Sequence, residues 1–121
     1  MLKILVVDDN PINLKFLFYA LRHDYDIEMA QDGDEALTKT LVKKYDMIIL
    51  DLWMPKIDGA EITRQIRSLD SNMNRATPII FCTTSNADAD KKRCYGFGAN
   101  DYLVKPVQVN QLKEKLNYYL S

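Results

Sequence analysis

The stretch KILVVDDN, residues 3–10, drives an unbroken apolar run, Ile4 to Val7, straight into two adjacent carboxylates, Asp8 and Asp9. Successive apolar positions mark a strand covered on both faces, as in parallel sheets with helices on either side. Such a strand should not end in a doubled negative charge without compensation. Two carboxylates about 6 Å apart repel by roughly 3 kcal/mol at an effective dielectric of 20. Crowding of this kind raises a pKa or recruits a cation.

Working outward, MIIL (47–50) and PIIFC (78–82) repeat the continuous apolar pattern. DIEMA (26–30) alternates instead, with Ile27 and Met29 on one side and Glu28 on the other, which suits an edge strand. DYLV (101–104) is a fifth short strand leading into Lys105-Pro106. Helical signals lie between the strands. Asn10 can cap a helix that opens on Pro11 and carries Leu14, Leu17, Phe18 and Leu21 on one face. Asp34 precedes Ala36, Leu37, Thr40 and Leu41. Asp58 and Glu61 stand at capping-box spacing ahead of Ile62, Ile66 and Leu69. Val109, Leu112, Leu116 and Leu120 line a last helix. Between Asn86 and Tyr95 the only apolar contacts are Ala87, Ala89, Cys94 and Tyr95, so a loosely held fourth helix is expected.

Five alternations of strand and helix call for a parallel sheet with right-handed crossovers. With the alternating strand second in sequence and at an edge, the expected fold is α/β and flavodoxin-like, a three-layer (βα)5 with strand order 2-1-3-4-5. One domain spans residues 1–121. Ligands of such sheets sit beyond the carboxyl ends of the strands, where the order reverses. That rim gathers Asp8, Asp9, Asp51, Thr83 and Lys105. Oxygen donors without His or Cys select Mg2+ or Mn2+ over zinc. Lys105 and Thr83 can bind phosphoryl oxygens. Asp51 is the natural nucleophile for an aspartyl phosphate.

LVVDDN, MIILDLWMPKIDG, PIIFCTTS and GANDYLVKPV together resemble the signature segments of bacterial response-regulator receiver domains, in that family's order and over essentially the whole chain. The resemblance implies that Asp51 accepts a phosphoryl group from a histidine kinase or a His-containing phosphotransfer protein. It implies that Asp9, Asp51 and the backbone carbonyl of Trp53 bind Mg2+ directly, with Asp8 helping through water. Lys105 would pair with the acceptor carboxylate and then with the phosphoryl group. Thr83 and Tyr102 match the switch pair, and Lys105-Pro106 matches a bond usually cis in the family. The first helix is where the family's phosphodonor docks, which makes Asn13 and Phe16 docking candidates. Phe16 and Tyr19 lie off the main apolar stripe, so at least one is expected to be exposed; a helix buried more widely is the alternative.

Three residues depart from the family pattern. Thr84 stands where Ala or Gly is usual and could narrow access to the site. Trp53 is large for its position, and its indole is expected to cover part of the phosphoryl group and alter its lifetime. Phe97 replaces a common Ala and could repack the fourth helix. Cys82 reads as a small core residue, Cys94 as packing on the fourth helix and His23 as a surface residue.

The chain has 121 residues, 47% hydrophobic and 27% charged, enough to bury roughly two-thirds of its unfolded surface without metal or disulfide staples. Two separated cysteines without a secretory signal suggest reduced thiols and a cytoplasmic setting. A net charge of −1 with scattered Lys and Arg offers neither a nucleic-acid groove nor a membrane patch. The reading is therefore a phosphorylation-dependent switch, not a turnover enzyme, whose helix 4, strand 5 and helix 5 surface responds to a downstream protein target. A monomer or a weak phosphorylation-dependent dimer is expected. The alternatives are a phosphorylation-independent interaction module of the same fold and a Mg2+-dependent aspartyl-phosphate phosphatase. The phosphatase needs two Asp two residues apart after the first strand, whereas here they are adjacent. A flavin site would need Ser, Thr and Gly, not Asp, after that strand. No output domain is visible, so the chain is a stand-alone regulator or a piece of a larger protein; VDDNPINLKFL especially resembles receivers attached to hybrid sensor kinases.

Overall fold

In the computed structural model, which describes residues 1–121, the opening run forms β1 (Lys3–Val7), an interior strand of the sheet. It pairs in parallel with β2 (Asp26–Ala30) on one side and β3 (Met47–Leu50) on the other. β4 (Ile79–Thr83) and β5 (Asp101–Val104) extend the sheet, giving the order 2-1-3-4-5. The helices are α1 (Pro11–Leu21), α2 (Gly33–Val42), α3 (Gly59–Ser68), α4 (Asp88–Gly96) and α5 (Val109–Leu120).

The two-residue repeat of a strand divides β1 between two cores. Ile4 and Val6 pack with Leu14, Leu17 and Leu21 of α1 and with Leu112 and Leu116 of α5. Leu5 and Val7 pack on the opposite face with Ala36 of α2 and Ile62 and Ile66 of α3. Both faces being covered, every position of the run is buried. Each buried Leu, Ile or Val contributes roughly 1.5–3 kcal/mol, enough to hold the rim carboxylates where they would otherwise repel.

Several boundaries depart from the sequence expectation. β4 runs 79–83, not 78–82, because Pro78 has no N–H for the ladder, while Thr83 pairs with Val104 of β5. α2 is capped by Asp32, whose side chain accepts the Glu35 N–H, and Asp34 lies inside the first turn. Leu41 is exposed on α2 instead of lying on its core face, and Leu69 is exposed just past the end of α3. In α3, Asp58 accepts the Glu61 N–H as a cap should, but the Glu61 carboxylate turns to Arg64 and leaves the box open. In β2 Met29 is exposed, while Glu28 is sheltered by Lys3, Lys43 and the Tyr45 hydroxyl. α4 has no side-chain cap, and only Cys94 in it is buried.

At the opposite end of the sheet from the strands' carboxyl ends, Asn74 forms a polar latch. Its Oδ1 accepts from Tyr45 N at 2.7 Å and Thr77 Oγ1 at 3.0 Å; its Nδ2 donates to the carbonyls of Thr40 and Lys43, each at 2.7 Å. No periodic pattern marks this residue in the sequence.

Candidate functional site

Asp8 follows β1 and Asp51 follows β3; the register Val7↔Leu50 sets the two side by side. Asp9 lies next along the chain, and carboxylate oxygens of Asp8, Asp9 and Asp51 fall within 4.8 Å of one another. Asp8 is buried and Asp9 exposed; Asp51 is 8% exposed. Thr83, fully buried, closes β4, and Lys105 follows β5. The fold thus brings all five rim residues together.

Both oxygens of Asp8 are occupied: Oδ1 accepts from Asn10 N at 2.9 Å and Oδ2 from Lys105 Nζ at 2.7 Å. Lys105 reaches Asp51 Oδ2 at the longer distance of 3.4 Å. Burial pushes the Asp51 carboxyl above the usual carboxylate range; Lys105 and the Thr83 hydroxyl pull against this, and the nearby Asp8 adds to it. Burial works against the Lys105 ammonium too, but its hydrogen bond to Asp8 and the Asp51 charge outweigh that, and its pKa is raised. The pocket therefore holds a reluctant carboxylate beside a firmly protonated amine.

Glycine is required beneath Asp51. A Cβ on Gly59 would lie 2.3 Å from the Asp51 carbonyl oxygen and 2.7 Å from the Phe81 ring, while Gly59 N donates to Leu52 O at 2.8 Å. This close approach lets the start of α3 brace the loop after Asp51. Within that loop Lys56 adopts φ 71°, a left-handed conformation unusual for a side chain with a Cβ. The Trp53 indole, two residues past Asp51, is 49% exposed at the rim. The Lys105–Pro106 peptide is cis.

Tyr102 is buried, its ring stacked on Phe81 and its hydroxyl donating to Ser85 O at 2.8 Å. Ser85 was not singled out in the sequence; a small polar residue after Thr83-Thr84 carries no pattern. Phe97 is half-buried against the α2–α3 side of the core, under Arg93. The thiols are buried, with Cys82 pushed up to about 12 and Cys94 to about 11 by burial. His23 is exposed.

On α1, Phe16 and Tyr19 are both exposed, and Ile12 joins them to make a stripe at helical spacing. Ile12, Asn13 and Phe16 form one wall of a groove of about 490 Å³ whose other side is Thr84, Pro106 and Val107, with Lys105 at its edge. Thr84, exposed, faces this groove.

Fold and rim define the class: a flavodoxin-like doubly wound domain with three clustered carboxylates and one lysine at the carboxyl ends of its strands. The model of the response regulator receiver domain matches residues 4–117, and the chain belongs to that family, whose members are signalling switches and not turnover enzymes. It is 40% identical over 121 residues to the response regulator ArlR of Staphylococcus saprophyticus, covering 99% of this chain and 53% of that protein. Over 105 residues it is 45% identical to the transcriptional regulatory protein ResD of Bacillus subtilis, covering 86% of this chain and 42% of ResD. The chain thus spans about half the length of the curated relatives it matches. Among solved structures, the chemotaxis protein CheY4 of Vibrio cholerae superposes with a TM-score of 0.90 at 32% identity, with 98% of each chain covered. The receiver domain of the sensor histidine kinase PA1611 of Pseudomonas aeruginosa, solved with a magnesium ion in its active-site cleft, gives 0.88 at 33% identity, covering 98% of this chain and 97% of that one. No helix is long and apolar enough to cross a membrane.

Proposed function

We propose that the chain is a phosphorylation switch whose Asp51 accepts a phosphoryl group in a Mg2+-dependent reaction from a histidine kinase or a His-phosphotransfer protein. The observation that carries this reading is the convergence of Asp8, Asp9, Asp51 and Lys105 from three separate strand ends. The donor set fits the metal: oxygen ligands only, clustered closely, with a single ammonium among three carboxylates. Asp9, Asp51 and the Trp53 carbonyl would hold the ion, with Asp8 acting through water. Bound there, Mg2+ (or Mn2+) would supply charge neutralisation for the incoming phosphoryl oxygens.

An Asp51 carboxylate oxygen attacks phosphorus, forming the P–O bond as the P–N bond to the donor imidazole breaks. The imidazole leaves with the bonding electron pair and takes up a proton. Lys105 and Thr83 bind equatorial oxygens in the transition state and keep the phosphoryl group oriented afterwards. Desolvation that makes the Asp51 charge unfavourable also raises its reactivity as a nucleophile. Hydrolysis of the acyl phosphate then resets the switch, and Trp53 shields part of the group from water. The exposed stripe of Ile12, Phe16 and Tyr19 and the adjoining groove suit docking of the donor, with Asn13 supplying a polar contact. The signal leaves through α4, β5 and α5 to a downstream protein. Incubation with Mg2+ and a small acyl-phosphate donor, followed by intact mass measurement, tests the reading. The wild type should gain one phosphoryl group and Asp51→Asn none; equal uptake by both would overturn it.

A further inference from the structure

α4 is poorly anchored by apolar contacts, yet it has a defined place, and polar contacts from two loops of the site explain why. Ala87 at its N-cap offers no side chain to the first turn, and Cys94 is its one buried residue. Ser85 fills the gap. Its Oγ accepts from Ala87 N at 3.3 Å and donates to the Asp90 carboxylate. Its own N–H donates to Thr83 Oγ1 at 3.4 Å, and its carbonyl accepts the Tyr102 hydroxyl at 2.8 Å. The second half of α4 is tied separately: Arg93 Nη2 reaches both carboxylate oxygens of Asp58, at 3.2 and 2.9 Å, on the α3 cap.

We propose that Ser85 is a positioning residue that couples the orientation of the Thr83 hydroxyl to the first turn of α4 through Asp90. The coupling rests on the phosphoacceptor reading of Asp51, because the event that turns the hydroxyl is the arrival of phosphoryl oxygens. A threonine hydroxyl has one proton and two lone pairs. Donating its proton to a phosphoryl oxygen redirects those lone pairs, and a 3.4 Å bond is the weakest of the set and the first to be given up. Ser85 N–H then loses its acceptor, and the loop shifts the Asp90 end of α4. Arg93 and Cys94 hold the other end, so the helix pivots there.

The test needs hydrogen exchange of the segment 86–92 in the full chain, without phosphodonor. Ser85→Ala should speed exchange there roughly five- to tenfold, the loss of about one hydrogen bond. Ser85→Thr, which keeps the hydroxyl, should restore the wild-type rate. Thr83→Val should give a similar increase, and the double variant Thr83→Val/Ser85→Ala no more than either single one, since both cut the same path. Unchanged exchange in Ser85→Ala, no rescue by Thr, or fully additive effects would overturn the proposal. A parallel arm with Mg2+ and an acyl-phosphate donor reads intact mass: Ser85→Ala should still gain one phosphoryl group while its segment 86–92 no longer responds. A wild type that takes up no phosphoryl group contradicts the proposed function, whereas the coupling is judged on the unphosphorylated arm.

Discussion

Lys105 sits nearer to Asp8 than to Asp51, at 2.7 Å against 3.4 Å, although Asp51 is the proposed acceptor. The Asp8 side chain is the less exposed of the two, 4% against 11%, so the ammonium neutralises the carboxylate that water serves least. A phosphoryl group on Asp51 would reverse the balance: the group carries roughly −1.5 to −2 where the carboxylate carried −1, a net gain of roughly −0.5 to −1 placed further out toward the ammonium. Replacing Lys105 by Ala strands the carboxylates. Removal of one partner of a buried pair costs about 3–5 kcal/mol, and the site's opening to solvent reduces this to about 1–3 kcal/mol. Urea unfolding at neutral pH with EDTA should show that loss. Because the folded pKa of Lys105 lies above its ordinary value, the contribution persists below that value and fades only as alkali titrates the folded amine.

Asp51→Asn should act in the opposite direction on stability. Burial raises the Asp51 pKa in the fold, so the folded state binds this proton more tightly than the unfolded chain does. Ionised Asp51 therefore destabilises the metal-free protein above its folded pKa. That penalty disappears in acid, below about 3.9, where both states are protonated. In EDTA at pH 7 the Asn variant should melt higher than wild type, and the two should converge near pH 3. Saturating Mg2+ should narrow or reverse the gap at pH 7 by stabilising the wild type. Thermal melts across pH check both statements.

Much of the fold is legible in the sequence because burial dictates it. The runs at 4–7 and 47–50 are apolar at each position since both faces of the sheet are covered, and the rim residues follow from where those runs stop. What the pattern does not carry is polar and local. Asp32 and Asp34 are chemically equal as caps, and only the path of the chain out of β2 selects Asp32. Leu69 fits the α3 apolar stripe, but the helix ends before it. Asn74 and Ser85 act through hydrogen bonds to partners distant in sequence or to backbone groups, which no spacing rule marks.

Asn74→Ala tests the latch at the far end of the sheet. It leaves Tyr45 N–H and the carbonyls of Thr40 and Lys43 without their partner in a buried setting. At about 1–3 kcal/mol for each stranded group, with water relieving some, a loss of about 3–4 kcal/mol is expected in denaturant unfolding. Phosphoryl uptake per folded molecule should be unaltered, since the latch lies at the opposite end from Asp51.

Trp53 is the chain's one tryptophan and stands at the rim with a half-exposed indole. Trp53→Asn should open the acyl phosphate to water and speed dephosphorylation several-fold, read by decay of the phosphorylated mass after donor removal. An unchanged rate would remove the shielding role.

Borohydride reduction of the phosphorylated protein, followed by peptide mass mapping, tests the central claim most directly, because an aspartyl phosphate is reduced to homoserine at the residue that carried it. Conversion at position 51, dependent on Mg2+ and abolished by EDTA, is the predicted result. Conversion at another carboxylate, or none at residue 51 under conditions where the protein has gained phosphoryl mass, would contradict the account.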